Sequence, residues 1–154
     1  MKIAGSSLAL LLLVGSAAPA LGQTGTDIEL TRAKIQTARQ TIIADAMKLN
    51  DDESLAFWPA YRDYRLEMAR LGDRLIKVVK EFTSADAKLS DEQATRLLNE
   101  YLDIKAKDVA VKKKYAGVFR ALLPAPKVTR FFQLENKLDA IIDYDLATAI
   151  PLTR

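Results

Sequence analysis

Apolar side chains recur along this chain at alternating steps of three and four residues, in four separate stretches. That period keeps them on one face of an α-helix and would scatter them over both faces of a strand. The clearest stretch places Phe57, Tyr61, Tyr64, Met68, Leu71, Leu75, Val78 and Phe82 in a heptad seam sustained for seven steps. Leu71 and Leu75, at its middle, are expected to be buried. Pro59 suits a first turn, so 52–58 reads as a short helical turn and Pro59 as the start of a helix reaching Phe82.

The first segment spans about 27–49, with Asp27 as cap and Ile28, Ile35, Ala38, Ile42 and Leu49 on one face. Gln23 to Thr26, before it, reads as a flexible polar start. Asn50-Asp51-Asp52 breaks this helix and offers a new cap. Thr83 to Leu89 is a polar linker. Ser90 and Gln93 then form a capping box for a third helix over 91–122. Its seam is Ala94, Leu97, Tyr101, Ile104, Asp108, Val111, Tyr115, Val118 and Leu122, with one charged intruder at Asp108. Pro124 and Pro126 end it, and a fourth helix over 127–149 turns Val128, Phe131, Leu134, Leu138 and Ile141 inward. The expected fold is all-α, a single four-helix domain over 23–154.

The N-terminus changes the picture of where this domain works. Met1-Lys2 is a short positive region, Ile3 to Val14 is apolar but too short to span a bilayer, and small residues follow. Residues 1–22 therefore read as a signal peptide cleaved after Ala20 or Gly22, and the protein as periplasmic. Every later apolar run is interrupted by charge, so no membrane span is expected.

Composition then excludes much chemistry. The chain has no histidine and no cysteine, which removes most hydrolytic triads, thiol catalysis, disulfides and zinc sites. No glycine-rich loop follows a strand, so no nucleotide cofactor is expected. The net charge of +3 is too small to argue for nucleic acid. The expectation is a protein without enzymatic activity, cofactor or resident metal.

Leu89-Ser90-Asp91-Glu92-Gln93 resembles the Leu-Thr-x-x-Gln motif of the Spy/CpxP family of exported bacterial stress proteins, with Ser in place of Thr. Leu49-Asn50-Asp51-Asp52-Glu53 occupies the equivalent place before the second helix but departs from the motif at Asn50 and Glu53. Phe57-Trp58-Pro59-Ala60-Tyr61 and the run from Phe131 to Leu138 are similar to segments of exported proteins in the same wider group. The resemblance spans most of the mature chain. It implies an elongated antiparallel helical hairpin that dimerises into a cradle and acts as an ATP-independent chaperone or envelope-stress modulator. A metal-sensing branch of that group uses histidine-rich segments, which this chain lacks.

Three sets of residues are candidates for function. Glu135, Asp139 and Asp143 form an acidic row at four-residue steps that could hold a hard cation, or pair with lysines of the third helix or face solvent. From Lys105 to Arg130 there are eight basic residues against one acid, including Lys112, Lys113, Lys114 and Arg120. They form either a positive face for partners or a solvated helix back. Trp58 and Phe132 fall off their seams and are candidates for an exposed apolar patch or dimer contact. The expected partners are unfolded client proteins or an envelope signalling protein, with peripheral membrane contact and a homodimer left open. The alternative function is the periplasmic sensor arm of an envelope-stress or extracytoplasmic sigma-factor pathway.

Overall fold

The computed structural model describes residues 21–85, 88–150 and 152. It is all-α, with four helices: α1 (Leu21–Met47), α2 (Asp51–Ser84), α3 (Asp91–Leu122) and α4 (Ala125–Ala149). The proposed signal lies outside the described residues except for Leu21 and Gly22, which open α1. Residues 23–26, expected as a flexible start, are helical. No helix among the described residues is long and apolar enough to cross a membrane.

The turns follow from local chemistry. Lys48 takes the left-handed conformation, with φ of 46°, and so stops α1 after Met47. Asn50 then caps α2: its side chain accepts from the Glu53 N–H and the Glu53 carboxylate accepts from the Asn50 N–H, both at 2.9 Å. Ser90 and Gln93 make the same reciprocal pair at the start of α3, at 3.2 and 3.1 Å. The two departures from the Leu-Thr-x-x-Gln motif at Asn50 and Glu53 thus preserve its capping geometry. Pro59 lies inside α2, not at its start. The helix begins at Asp51 because the Asn50 cap acts upstream, and an exposed proline there removes one backbone hydrogen bond without ending the helix.

The helices pack as two antiparallel pairs. Ion pairs lace α2 to α3: Glu67–Lys114, then Arg74 with Glu100 and Asp103, then Glu81–Arg96. α1 runs antiparallel beside α4, with Arg39 opposite Asp139 and Arg130 reaching the Ala46 carbonyl. The main core gathers all four helices: Ile43 and Met47, Phe57, Tyr61, Tyr64 and Met68, Tyr115, Phe119 and Leu123, and Val128, Phe131 and Leu138. Phe131 is its hub, with ring centroids 4.8 Å from Phe119, 5.5 Å from Phe57 and 5.7 Å from Tyr64. These rings meet mostly edge to face, the arrangement that aromatic quadrupoles favour. A smaller core of Val78, Leu97 and Ile104 lies farther along α2 and α3.

Several seam positions differ from expectation. On α1 the inward row is Arg39, Ile43 and Met47, one residue away from Ala38 and Ile42, which are exposed. The side chains of Ile28 and Ile35 lie outside the described ones. On α3, Tyr101 and Val118 face solvent while Phe119 is fully buried. On α4, Leu134 is half-buried and Ile141 exposed, whereas Glu135 and Leu146 are buried. The cause is geometric: a straight helix turns by 3.6 residues, so a strict heptad drifts round its surface until a neighbouring position takes over. Leu71 and Leu75 are half-buried rather than buried, and Val79 is buried instead.

The α3 correction is directly testable. Phe119→Ala should cost about 3–5 kcal/mol in urea unfolding, as for other buried phenylalanines. Val118→Ala should stay within about 1 kcal/mol, because its side chain is already partly hydrated. The reverse order would restore the heptad seam.

Candidate functional site

The acidic row of α4 does not present a cation site. Glu135 is fully buried, and its Oε2 lies 2.9 Å from Arg39 Nη1 and 3.1 Å from Arg65 Nη1. Asp139 lies 2.9 Å from Arg39 and 3.0 Å from Lys112, which also reaches Asp108 at 2.9 Å. Asp143 pairs with Lys105 at 3.0 Å. No cluster of carboxylates suited to a metal occurs among the described residues. The row instead spends its charge on cations from α1, α2 and α3, which includes the expected lysine pairing and adds two arginines.

Electrostatics within this cluster are mutually reinforcing. Burial works to push the Asp139 carboxyl up, but Lys112 and Arg39 outweigh it and hold it below the usual carboxylate range. Burial likewise works to lower Lys112, but Asp139 and Asp108 outweigh it and raise the ammonium. Tyr64, enclosed beside Glu135, has its hydroxyl pushed well above its ordinary value, first by burial and then by that carboxylate. Tyr61 is raised to about 12 for the same two reasons. Both hydroxyls therefore stay protonated near neutral pH.

The basic stretch is largely consumed by these contacts. Lys105, Lys112 and Lys114 are paired, and Lys127 bonds Glu53. Lys107 pairs with Asp103 on the next helical turn. Lys113 and Arg120 are exposed and make no ion pair among the described residues. Of the three consecutive lysines, only Lys113 is therefore free to act on a partner.

Trp58 and Phe132, expected as an exposed patch, are half-buried against the main core. Trp58 packs edge to face on Phe57 and Tyr61, at 5.1 and 5.3 Å between centroids. Phe132 abuts Phe131 at 5.0 Å and keeps its outer edge in a groove of about 470 Å³ between α3 and α4. Ala116, Ala125 and Val128 share the groove floor, and Arg120, Thr129, Gln133 and Asn136 form its rim. No acidic side chain lines it. The structure thus joins two of the candidates, Phe132 and Arg120, in one concave surface, and leaves Trp58 and Lys112 in structural roles.

Sequence reading missed Arg39, Arg65 and Glu135 as a buried cluster. Glu135 carries one usable signal: it stands seven residues after Val128 and four after Phe131, on the inward side of the helix. No protein-family model, curated protein or solved structure matches this chain.

Two outcomes follow from the cluster. Arg39→Met should cost about 3–5 kcal/mol by removing the buried partner of Glu135 and of Asp139 and leaving Glu135 with Arg65 alone, whereas Lys113→Glu should change stability by less than about 0.5 kcal/mol. The pH dependence has a fixed sign. Asp139, Glu53, Glu67 and Asp103 all have carboxyls lowered by cationic partners, so their stabilisation is present above about pH 4. It should be lost as pH falls further and these groups protonate, seen as a falling midpoint of thermal unfolding. A midpoint constant from pH 5 to pH 2 would contradict these pairings.

Proposed function

We propose that this protein is a non-enzymatic, exported binder of other proteins, acting on unfolded clients in the manner of the Spy/CpxP-like stress proteins its capping motifs resemble. The observation that carries this reading is the groove between α3 and α4: an apolar floor built on Phe132 and Val128, an Arg120 rim and no acid in its lining. Such a surface suits an extended segment that offers an apolar side chain beside a carboxylate, a combination common in unfolded chains. Export also fits, since work outside the cytoplasm must proceed without ATP. The function needs no cofactor, because binding energy comes from burial of apolar area and screened attraction to Arg120.

The test is aggregation of a chemically unfolded client, followed by light scattering without ATP at near-equimolar ratio. The wild-type chain should suppress aggregation, and Thr129→Trp, which fills the groove from an exposed position, should weaken suppression severalfold while helix content stays constant. Failure of the wild type to suppress at any ratio overturns the proposal. Retention of a single membrane protein in place of diverse clients would instead favour the signalling role.

A further inference from the structure

α2 sorts its arginines by side. Arg65 turns to Glu135 on α4, and Arg74 to Glu100 and Asp103 on α3. Arg62 and Arg70 lie on the remaining side, exposed and without an ion pair among the described residues, and Lys77 joins them. Leu55, Arg62, Leu66, Arg70, Asp73 and Lys77 follow at steps of 7, 4, 4, 3 and 4, so they share one face of the helix, and all are exposed. Leu55 and Leu66, at 77% and 60%, are the large apolar side chains of α2 most open to solvent. The neighbouring acids serve the side that meets α3. Glu67 accepts from Lys114 and Tyr115, and the Tyr115 hydroxyl is raised to about 12 by burial, by Glu67 and by the charge of Asp63. Asp73 is the single acid within the row.

We propose that this face of α2 rests on the surface of a bilayer that contains anionic lipid. Arg62, Arg70 and Lys77 meet phosphate headgroups along about 22 Å of helix, and Leu55 and Leu66, about 17 Å apart, enter the boundary with the acyl chains. Charge chooses the occupant. Three cations against one acid are drawn to an anionic surface, and each arginine offers a phosphate two parallel N–H donors. The long stems of these cations let the charges stay at the phosphates while the leucines sit deeper. The row runs along the convex back of a single helix, so a plane touches it along its length. Neither signal suffices alone, because salt screens the charges and two leucines bury little area; together they give reversible attachment. Contact stays peripheral, since no helix among the described residues is long and apolar enough to cross a membrane. No residue of this face lines the α3–α4 groove, so the inference stands apart from the client-binding proposal.

The test is co-sedimentation of the full mature chain with vesicles of phosphatidylglycerol in phosphatidylcholine, against vesicles of phosphatidylcholine alone. The wild type should bind the anionic vesicles about tenfold more tightly or better, and should lose most of that binding near 1 M salt, where the screening length falls to about 3 Å. Arg62→Gln, Arg70→Gln and Lys77→Gln together should weaken binding by about a hundredfold, about fivefold for each cation. Leu66→Ser should weaken it severalfold and leave its salt dependence intact. All four positions are exposed, so helix content and the thermal midpoint should match the wild type. The absence of cysteine allows a second readout: an environment-sensitive fluorophore on Leu66→Cys should shift to the blue on anionic vesicles, and one on Val109→Cys of α3 should not. No binding, equal binding to both kinds of vesicle, an unweakened triple variant, or a blue shift at Val109→Cys without one at Leu66→Cys would each overturn the inference. Equally tight binding of soluble polyglutamate would also overturn it, in favour of an acidic protein partner. Thr129→Trp should bind vesicles as the wild type does, and the triple variant should still suppress client aggregation, so the two proposals fail separately.

Discussion

One carboxylate without access to water, Glu135, fixes how the two helix pairs meet. An isolated buried charge costs so much that the fold must supply partners for it, and here they come from α1 through Arg39 and from α2 through Arg65. Asp139, one turn later, extends the arrangement to Lys112 on α3. All four helices thereby contribute a charged group to one cluster. Apolar packing alone would tolerate sliding or rotation of a helix; a charge that must find its counterion does not.

The aromatic core beside it supplies the stability that this cluster does not. Phe131 touches rings from α2 and α3 at once, and Phe57, Tyr64 and Phe119 close around it. Burying several such side chains removes several hundred square ångströms of apolar surface from water, at about 25 cal/mol per Å². The ion cluster lies one helical turn from Phe131, so the core supplies the drive to associate and the charges select the register. Farther along, α2 and α3 continue with the small Val78 core. The part of the molecule where all four helices meet frames the groove at Phe132.

The distribution of charge explains why a markedly basic segment makes so little free positive surface. Its lysines at 105, 112 and 114 reach acids on α2 or α4, which leaves Lys113 and Arg120 on α3, and Arg130 on α4, without an ion pair among the described residues. Lys113 and Arg120 lie in the C-terminal half of α3, and Arg120 borders the groove. Specificity for binding partners would then rest on apolar shape with a localised charge, rather than on a broad electrostatic field.

Local chemistry was enough to reveal the four helices, the cap at Ser90, a cap somewhere within Asn50-Asp51-Asp52, and the breaks at Pro124 and between α1 and α2. Each of these depends on residues within one turn of each other, and so is written in the order of the chain. The α2 seam from Phe57 to Met68 was equally legible, because a row of large aromatics leaves no second face to bury. Which of two adjacent rows faces inward was decided only in three dimensions. Val118 against Phe119, Leu134 against Glu135 and Ile42 against Ile43 differ by one residue, or 100° of rotation, and the neighbouring helix determines which is covered. The acidic row of α4 shows the same limit. Its spacing allowed a cation, a lysine or solvent, and the choice fell to Arg39, Arg65, Lys105 and Lys112, residues brought there by tertiary packing from as far as a hundred positions away.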